Sequence, residues 1–244
     1  MGHAAMTGPS LQVRIWRGGE EGEFQSFNLP TRAAQTVLDV VTEIQRGFEP
    51  DLAYRYACRV GMCGSCAMTV NGEPRWTCRT RVSAVAKKGV LTLEPLRNLP
   101  VVKDLVVDMT AFFQKWQKAK GVFEPGDAPP ADFAIVKPDG AERQAADKGI
   151  ECIGCGICYS ACDVVAWDPN YLGPAALNRA WTLINDVRDQ GQAERLVAVA
   201  ADGGCQSCHT HMSCTKFCPK SLAPTYAIAG LKRAAMRAAV KVTK

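Results

Sequence analysis

The first third of the chain alternates between hydrophobic and polar positions, with the period of two that is typical of β-strands. The segments "LQVRIWRG" (11–18) and "EFQSFNLP" (23–30) flank a turn rich in glycine and glutamate, and together they predict a β-hairpin. In the next segment, "TRAAQTVLDVVTEIQRG", the valines and Ile44 recur at the spacing of one helix face. This pattern predicts a helix that opens at Thr31 and ends at Gly47.

Further strands complete this region. The stretch "AMTVNGEPRWT" contains the dipeptide Asn71-Gly72, which is the strongest short signal for a tight hairpin turn. The run "GVLTLEPL" supplies a last strand. Two strands, a helix, a loop and a second group of strands, in that order, fit a β-grasp domain over 11–110, preceded by a short flexible tail over 1–10.

The second half of the chain changes to helical spacing. "LPVVKDLVVDMTAFFQKWQKAK" predicts a helix that leaves the first domain, and a Pro- and Gly-rich run follows it, so we expect a linker over 111–140. "GPAALNRAWTLINDVRD" and "PTYAIAGLKRAAMRAAVKV" predict helices of a mainly helical domain over 141–244. The expected fold class is therefore α+β.

The composition adds many cysteines to an otherwise ordinary globular chain. Of the 244 residues, 47% are hydrophobic and 22% are charged, and the 12 cysteines fall into three groups of four. Clustered spacing of this kind favours metal binding over disulfides. No uncharged apolar run approaches the ~18 residues of a membrane-spanning helix, and no leader pattern is visible, so we expect a protein that is neither exported nor anchored by its own helix.

The first cysteine group has the spacing C-x₄-C-x₂-C followed by one more cysteine, which is the plant-type [2Fe–2S] pattern. The predicted ligands are Cys58, Cys63, Cys66 and Cys78. Gly61 and Gly64 within the loop let the backbone turn tightly and direct N–H groups at the cluster sulfurs. Zinc is the alternative metal, but zinc commonly takes two pairs of the C-x₂-C type, and the wider step from Cys58 to Cys63 argues against it.

The second group, "CIGCGICYSAC", follows the bacterial ferredoxin spacing C-x₂-C-x₂-C-x₃-C, in which the fourth cysteine serves a neighbouring cluster. In return, the last cysteine of the third group is expected to complete the first cubane. The predicted [4Fe–4S] ligands are Cys152, Cys155, Cys158 and Cys218. The predicted ligands of the remaining cluster are Cys162, Cys208 and Cys214, and three cysteines can hold [3Fe–4S].

The third group, "CQSCHTHMSCTKFCPK", lacks one cysteine of this spacing. Counting back from Cys218, His211 stands where a cysteine is expected. Two interpretations of His211 stay open: a polar side chain near a subunit surface, or a nitrogen ligand that completes a fourth iron site. Cys205 is then left over, and we expect it to be a buried free thiol.

The formal net charge of +5 counts every cysteine as neutral. Iron–sulfur clusters on cysteine thiolates carry roughly −2 each, so three of them would bring the total near zero. The lysines and arginines also form no long stripe with interleaved aromatic residues. We therefore expect no nucleic-acid partner.

Several motifs, taken in order, resemble one known family. They are "CRVGMCGSC", "LPVVKDLVVDM", "CIGCGICYSAC", "YLGPAALNRAW", "INDVRD" and "SCTKFCPK". The chain resembles the iron–sulfur subunit of the succinate dehydrogenase / fumarate reductase (succinate:quinone oxidoreductase) family from about Leu11 to Arg237. The resemblance is consistent with a plant-type ferredoxin domain followed by a domain like the bacterial ferredoxins.

The resemblance implies that the chain works inside a complex. In the family, a partner flavoprotein with FAD oxidises succinate, and electrons pass through [2Fe–2S], [4Fe–4S] and [3Fe–4S] clusters to a quinone beside transmembrane anchor subunits. The chain would then be one subunit of an enzyme, peripheral on the cytoplasmic face of the cell membrane. It lacks the G-x-G-x-x-G fingerprint that a flavin-binding chain would carry.

Two residues match positions that help to form the family's quinone pocket. Trp167 follows the first cysteine of the third cluster by five residues, and His209 directly follows the second. An indole N–H can donate to a quinone carbonyl, and an imidazole can relay protons near neutral pH. Trp167 has the alternative of a core aromatic residue. Asp163 and His211 depart from the family pattern of proline and an apolar residue, which predicts a wetter or differently built pocket.

Other classes of protein fit part of this pattern. A fumarate reductase would use the same ligands in the quinol-to-fumarate direction. A free two-domain ferredoxin would carry electrons between soluble partners without belonging to a fixed complex. A cysteine-rich structural or zinc protein would contain neither iron nor labile sulfide.

Overall fold

The computed structural model describes residues 10–126 and 133–242. The chain divides into two compact units, Met1–Met109 and Thr110–Lys244. The predicted tail lies outside the described residues up to residue 9, and Ser10 already belongs to the first strand. Across the described residues, no helix combines the length and the apolar character required to cross a bilayer.

The first unit is built on a five-stranded sheet. Its strands are β1 (Ser10–Arg17), β2 (Glu23–Pro30), β3 (Ala67–Val70), β4 (Glu73–Trp76) and β5 (Val90–Glu94). The spatial order is β2-β1-β5-β3-β4, with β1 parallel to β5 and the other pairs antiparallel. Helix α1 (Val37–Gly47) packs its valines and Ile44 against the inward-facing side chains of the sheet. This arrangement confirms the predicted β-grasp fold.

Helix α1 begins at Val37, so the predicted start at Thr31 is wrong. The hydroxyl of Thr36 accepts a hydrogen bond from the Asp39 N–H at 3.2 Å, and the Asp39 carboxylate accepts one from the Thr36 N–H at 2.9 Å. This reciprocal pair is a capping box, which satisfies N–H groups that the first turn leaves unpaired. Ala34 has a φ of 62° and lies in the turn before the cap.

The segment predicted as a helix leaving this domain forms strands in its first part. Strands β6 (Val101–Lys103) and β7 (Val106–Val107) pair antiparallel around Asp104, which has a φ of 52°. The buried Asp104 carboxylate accepts hydrogen bonds from the N–H groups of Gly18 at 2.7 Å and Ala53 at 2.8 Å. These contacts with distant parts of the chain, together with the β-branched valines, favour strands over a helix.

The second unit is mainly helical, as predicted. A short helix of the first unit, α2 (Val82–Val85), precedes it. The helices of the second unit are α3 (Thr110–Lys118), α4 (Ala141–Ile150), α5 (Ile157–Ser160), α6 (Asp163–Trp167), α7 (Pro174–Ile184), α8 (Gln192–Ala200), α9 (Ser213–Lys216) and α10 (Pro224–Val242). Short 3₁₀ helices occur in both units, at Thr77–Arg79 and Cys205–Ser207.

Helix α7 lies at the centre of the second unit, where it packs against α3, α4, α8 and α10. Helix α10 approaches α7 closely at Gly230, where an added Cβ would lie 2.5 Å from the ring of Trp181. Leu177 of α7 and Leu231 of α10 are fully buried. A glycine at this position therefore lets the two helices pack at short distance.

The first part of the predicted linker, 111–140, is packed into the second unit. Phe112 is buried, and its ring lies 5.5 Å from the ring of Tyr159 in an edge-on contact. Farther along, Arg195 donates hydrogen bonds to the carbonyls of Lys120 at 2.7 Å and Val122 at 2.8 Å. The rest of the Pro- and Gly-rich run includes residues 127–132, which lie outside the described residues.

The guanidinium of Arg195 pairs with the carboxylate of Asp189 at 2.6 Å, and both side chains are 0% exposed. Replacing Arg195 with methionine leaves the Asp189 charge buried without its partner, and we expect the free energy of unfolding to fall by ~3–5 kcal/mol. Denaturant unfolding followed by circular dichroism measures this loss.

The matched control is Arg188→Met. Arg188 pairs with Asp186 at 2.7 Å, but its side chain is 54% exposed, and a pair at the surface contributes at most ~1 kcal/mol. Equal losses in the two variants would contradict a stabilising role for the buried pair.

Candidate iron–sulfur sites

The first cysteine loop joins α1 to β3 and turns its N–H groups toward its own sulfurs. The Sγ atom of Cys58 accepts hydrogen bonds from the N–H groups of Met62 at 3.2 Å and Cys63 at 3.3 Å. The Cys58 N–H lies 3.5 Å from the Sγ atom of Cys63. Hydrogen bonds of this kind stabilise a thiolate. The loop is therefore shaped to hold deprotonated cysteines.

Positive backbone angles produce this shape. Arg59, Gly61 and Gly64 have φ values of 60°, 74° and 70°. A Cβ on Gly61 would meet the side chain of Arg79 at 2.9 Å and the ring of Trp76 at 3.1 Å. Gly61 is thus required both by its backbone angle and by the close packing around it.

The other two cysteines of the first group lie in the sheet region. Cys66 directly precedes β3, and Cys78 lies in the 3₁₀ helix after β4; both are buried. The hydroxyl of Thr77 donates to the Cys66 carbonyl at 2.9 Å, which ties the two cysteine segments together. Burial, followed by the neighbouring Cys66 thiol, raises the pKa of Cys78 to about 11, whereas a hydrogen bond with the Ser65 side chain lowers the pKa of Cys63 to about 6.

In the second unit, one pocket brings together four cysteines from two distant segments. We call it the Cys155 pocket; its empty volume, including the open mouth, is ≈ 400 Å³. The cysteines that line it are Cys152, Cys155, Cys158 and Cys218. These are the four predicted [4Fe–4S] ligands.

A second pocket, the His211 pocket, has an empty volume of ≈ 320 Å³. The cysteines that line it are Cys162, Cys208 and Cys214, the predicted ligands of the third cluster. His209, His211, Tyr171 and Thr225 also line it. Cys205 is fully buried and is not among the residues that line either pocket, which agrees with the buried thiol expected at this position.

Each pocket contains one cysteine from the sequence group that supplies the other pocket. Cys162 belongs to the second sequence group but lines the His211 pocket, and Cys218 belongs to the third group but lines the Cys155 pocket. Burial raises the pKa of Cys162. Hydrogen bonds from the backbone N–H groups of Val165 and Val164, at the start of α6, lower this pKa by a smaller amount. Each pocket is therefore complete only when both cysteine loops are in place.

The loops 152–158 and 208–214 have the same backbone course. In each loop two residues adopt positive φ at equivalent positions. A short helix starts directly after the second of these two residues. These residues are Gly154 at 63° and Gly156 at 77° in the first loop, and Thr210 at 60° and Met212 at 64° in the second. Cys155 lies between the first pair, and His211 lies between the second. His211 thus occupies the backbone position of a cluster cysteine, as well as its sequence position.

His211 has a specific neighbour that the sequence analysis also singled out. Its Nδ1 atom lies 3.4 Å from a carboxylate oxygen of Asp163. Its ring lies 5.7 Å from the ring of Trp167 and 6.1 Å from that of His209. Trp167 is 67% exposed, so the alternative of a core aromatic residue is wrong. The two departures from the family pattern therefore contact each other, next to both predicted quinone residues.

The cysteines of the Cys155 pocket supply the donor set of an iron–sulfur cluster, four cysteine sulfurs around one space. Burial is the first cause that raises the pKa values of Cys152, Cys155 and Cys158, and neighbouring cysteines raise them further. A thiolate in such a place needs a nearby cation, and iron supplies one. Among the described residues, no three His, Cys, Asp or Glu side chains converge on a point where a single metal ion could bind.

Two protein-family models match the chain. A 2Fe-2S iron-sulfur cluster binding domain matches residues 11–114, and a 4Fe-4S dicluster domain matches residues 149–222. The first match contains the four cysteines of the first group. The second match contains both cysteine loops of the second unit, including the exchanged cysteines.

The relatives agree with these matches. The fumarate reductase iron-sulfur subunit of Mycobacterium tuberculosis (strain CDC 1551 / Oshkosh) is 38% identical over 218 residues, which cover 89% of this chain and 88% of the relative. The mitochondrial succinate dehydrogenase (ubiquinone) iron-sulfur subunit 1 of Oryza sativa subsp. japonica is 38% identical over 203 residues, covering 83% of this chain and 72% of the relative. The chain belongs to this family of iron–sulfur subunits.

A solved structure supports the fold of this succinate dehydrogenase / fumarate reductase iron–sulfur subunit. A chain of the Mycobacterium smegmatis Sdh1 complex in the apo form has a TM-score of 0.83 and 29% identity, and the match covers 94% of this chain and 96% of that chain. The subunit is therefore an electron-transfer protein with a [2Fe–2S] domain and a 4Fe–4S dicluster domain. The zinc alternative for the first cysteine group finds no support in these matches.

Sequence reasoning on the subunit missed three residues that contact the third cysteine group or line its pocket. The Lys232 ammonium donates to the Cys208 carbonyl at 2.7 Å. The hydroxyl of Thr225 lies 3.3 Å from the Sγ atom of Cys214, and the buried Tyr171 lines the His211 pocket together with Cys208. Tyr171 lies within the motif "YLGPAALNRAW", but no spacing rule connects it or the start of α10 with a cysteine loop.

Because the four cysteines of the first group lie within one compact unit, their loss should affect one cluster only. We expect Cys58→Ser to damage the [2Fe–2S] centre and to block electron entry, while the clusters of the second unit assemble normally. EPR spectroscopy and iron analysis of the variant measure this. Cys205→Ser is the matched control, since Cys205 lines neither pocket, and it should retain every cluster. Loss of all clusters in Cys58→Ser would contradict independent assembly.

Proposed function

We propose that this chain carries electrons in a membrane-associated succinate:quinone oxidoreductase, between the FAD of a partner flavoprotein and a quinone. The observation that supports it most directly is the His211 pocket, because a site with three cysteines opens beside Trp167 and His209. When bound, iron–sulfur clusters supply one-electron carriers whose potentials depend on cluster type, charge and hydrogen bonding. The residues of the chain bind the clusters, keep them apart and set their reduction potentials.

We assign the ligands as the sequence spacing predicts. The [2Fe–2S] ligands are Cys58, Cys63, Cys66 and Cys78, and the [4Fe–4S] ligands are Cys152, Cys155, Cys158 and Cys218. The third cluster is [3Fe–4S] on Cys162, Cys208 and Cys214. Their grouping around the Cys58 loop and the two pockets supports this assignment. His211 supplies no thiolate at the fourth position, so the third site has less negative charge than a four-cysteine site.

The proposed quinone-binding site lies at the rim of the His211 pocket. The exposed indole N–H of Trp167 donates a hydrogen bond to a quinone carbonyl, and the His209 imidazole holds a proton for the same oxygen. The Asp163–His211 pair adds polar groups to this rim. This pair supports the expectation of a wetter quinone pocket.

The partners are a flavoprotein subunit and one or more transmembrane anchor subunits. At the first cysteine loop, Val60 and Met62 are 59% and 61% exposed, and at the His211 pocket Trp167 and Met212 are 67% and 54% exposed. Apolar side chains exposed around a site are typical of surfaces that a partner covers. The anchor would hold the chain at the cytoplasmic face of the cell membrane.

The proposed direction is succinate oxidation, the activity for which the Oryza sativa relative is named. Fumarate reduction with a quinol is the alternative, because both directions require the same ligands. Purifying the native complex and assaying succinate:quinone and quinol:fumarate activities tests the proposal. The chain should co-purify with a flavoprotein and an anchor, and the succinate:quinone rate should exceed the reverse rate. A stable, soluble, monomeric chain would instead support a free ferredoxin-type carrier.

The third site gives a sharper test, because His211 occupies the position of a cluster cysteine. The oxidised wild-type complex should show the EPR signal of a three-iron cluster. His211→Cys should allow a fourth iron to bind, lower the potential of the cluster and slow quinone reduction, while succinate still reduces the upstream clusters.

The matched control for this prediction is His211→Val, which removes the imidazole without adding a thiolate and should keep three irons. If the wild-type site binds four irons, and His211→Val reduces the count to three, then His211 is a ligand and the [3Fe–4S] assignment is wrong.

A further inference from the structure

One cysteine sulfur of the His211 pocket contacts a side-chain hydroxyl group. The Oγ1 atom of Thr225 lies 3.3 Å from the Sγ atom of Cys214. Thr225 lines the pocket together with the buried side chain of Tyr171. The Thr225 contact reaches one of the three cysteines that we assign to the third cluster.

Ligation fixes the direction of the hydrogen bond at Cys214. A cysteine that binds iron is a thiolate without a proton, so it can only accept, and the Thr225 hydroxyl must donate. The Thr225 oxygen is then free to accept from the Thr215 hydroxyl, 3.0 Å away. The Thr215 oxygen in turn lies 3.5 Å from the Thr225 N–H group. The result is a short relay of donors that starts at the backbone of α10 and ends on the Cys214 sulfur.

The side chains that flank the cysteines differ between the two pockets. At the Cys155 pocket, backbone N–H groups of Gly154 and Ile157 face Cys152 and Cys155. The residue after Cys158 is Tyr159, which packs against Phe112, whereas the equivalent residue after Cys214 is Thr215. The two loops thus share a backbone course but differ in the side chains next to their sulfurs.

Donors to ligand sulfurs stabilise the more negative, reduced form of a cluster, and they therefore raise its reduction potential. On the ligand assignment of the proposed function, we propose that Thr225 is a positioning residue that raises the potential of the third cluster. Thr215 acts through Thr225, since it orients the hydroxyl that reaches Cys214.

An EPR-monitored redox titration of the purified complex tests this inference. Thr225→Val removes the hydroxyl at nearly constant volume and should shift the midpoint potential of the third cluster downward. Thr215→Val removes the group that orients this hydroxyl and should shift the same midpoint downward by a smaller amount. The [2Fe–2S] and [4Fe–4S] midpoints should stay at their wild-type values. Thr225→Ser retains the hydroxyl and should keep the third midpoint close to wild type.

The matched control is Thr182→Val in α7. Thr182 is also buried, but its hydroxyl donates to the Asn178 carbonyl at 2.9 Å instead of a cysteine sulfur. This variant should leave the third midpoint unchanged. An equal downward shift in Thr182→Val or Thr225→Ser would mean that packing, not the hydroxyl, sets the potential, and would overturn the inference.

Other outcomes separate this inference from the function on which it rests. If the wild-type complex has its three-iron signal and Thr225→Val leaves the midpoint unchanged, the inference alone is wrong. If Thr225→Val fails to assemble the third cluster, Thr215→Val decides the matter: a downward shift supports the inference, and an unchanged midpoint overturns it. If the wild-type complex holds no cluster on Cys162, Cys208 and Cys214, the proposed function fails and the inference fails with it.

Discussion

The second unit depends on the exchange of cysteines between two loops that are far apart in sequence. Cys162 leaves its own group to line the His211 pocket, and Cys218 leaves its group to line the Cys155 pocket. Neither pocket can form from one loop alone, so α7 and α10 must hold the loops at a fixed separation. The close contact of Gly230 with Trp181 between these helices contributes to that constraint. Cluster assembly and folding of this unit are therefore coupled.

The same loop geometry serves two different sites. The backbone angles at Gly154 and Gly156 recur at Thr210 and Met212, even though a positive φ is unfavourable for threonine and methionine. This backbone conformation lets the helix after each loop start at the equivalent residue, directly after the second residue with positive φ. What differs is the residue in the middle: Cys155 in one loop, and His211 in the other. The two loops share one backbone conformation, and the single change from cysteine to histidine at the middle position turns a four-cysteine site into a three-cysteine site.

Local patterns in the sequence predicted the elements whose signals are local. The hairpin at Asn71-Gly72 and the bounds of α10 both follow from short spacings. Helix α1 begins at Val37 and not at the predicted Thr31, because Thr36 and Asp39 form a capping box there.

Long-range contacts determine what the sequence could not predict. The strands around Asp104 depend on hydrogen bonds from Gly18 and Ala53, and the ordered segment after α3 depends on Arg195, about 75 residues later. The hydroxyl-bearing residues Tyr171 and Thr225 line the His211 pocket, and no cysteine motif contains them. In each case the deciding partner is distant in sequence and has no fixed spacing.

The exchange of cysteines is tested most directly by Mössbauer spectroscopy of the iron-57-enriched complex carrying Cys162→Ser or Cys218→Ser. Our account predicts that Cys218→Ser disturbs the four-iron cluster and leaves the three-iron cluster intact, whereas Cys162→Ser does the reverse. If each substitution instead disturbed the cluster held by the other cysteines of its own sequence group, the two loops would bind their clusters separately, and the account would be wrong.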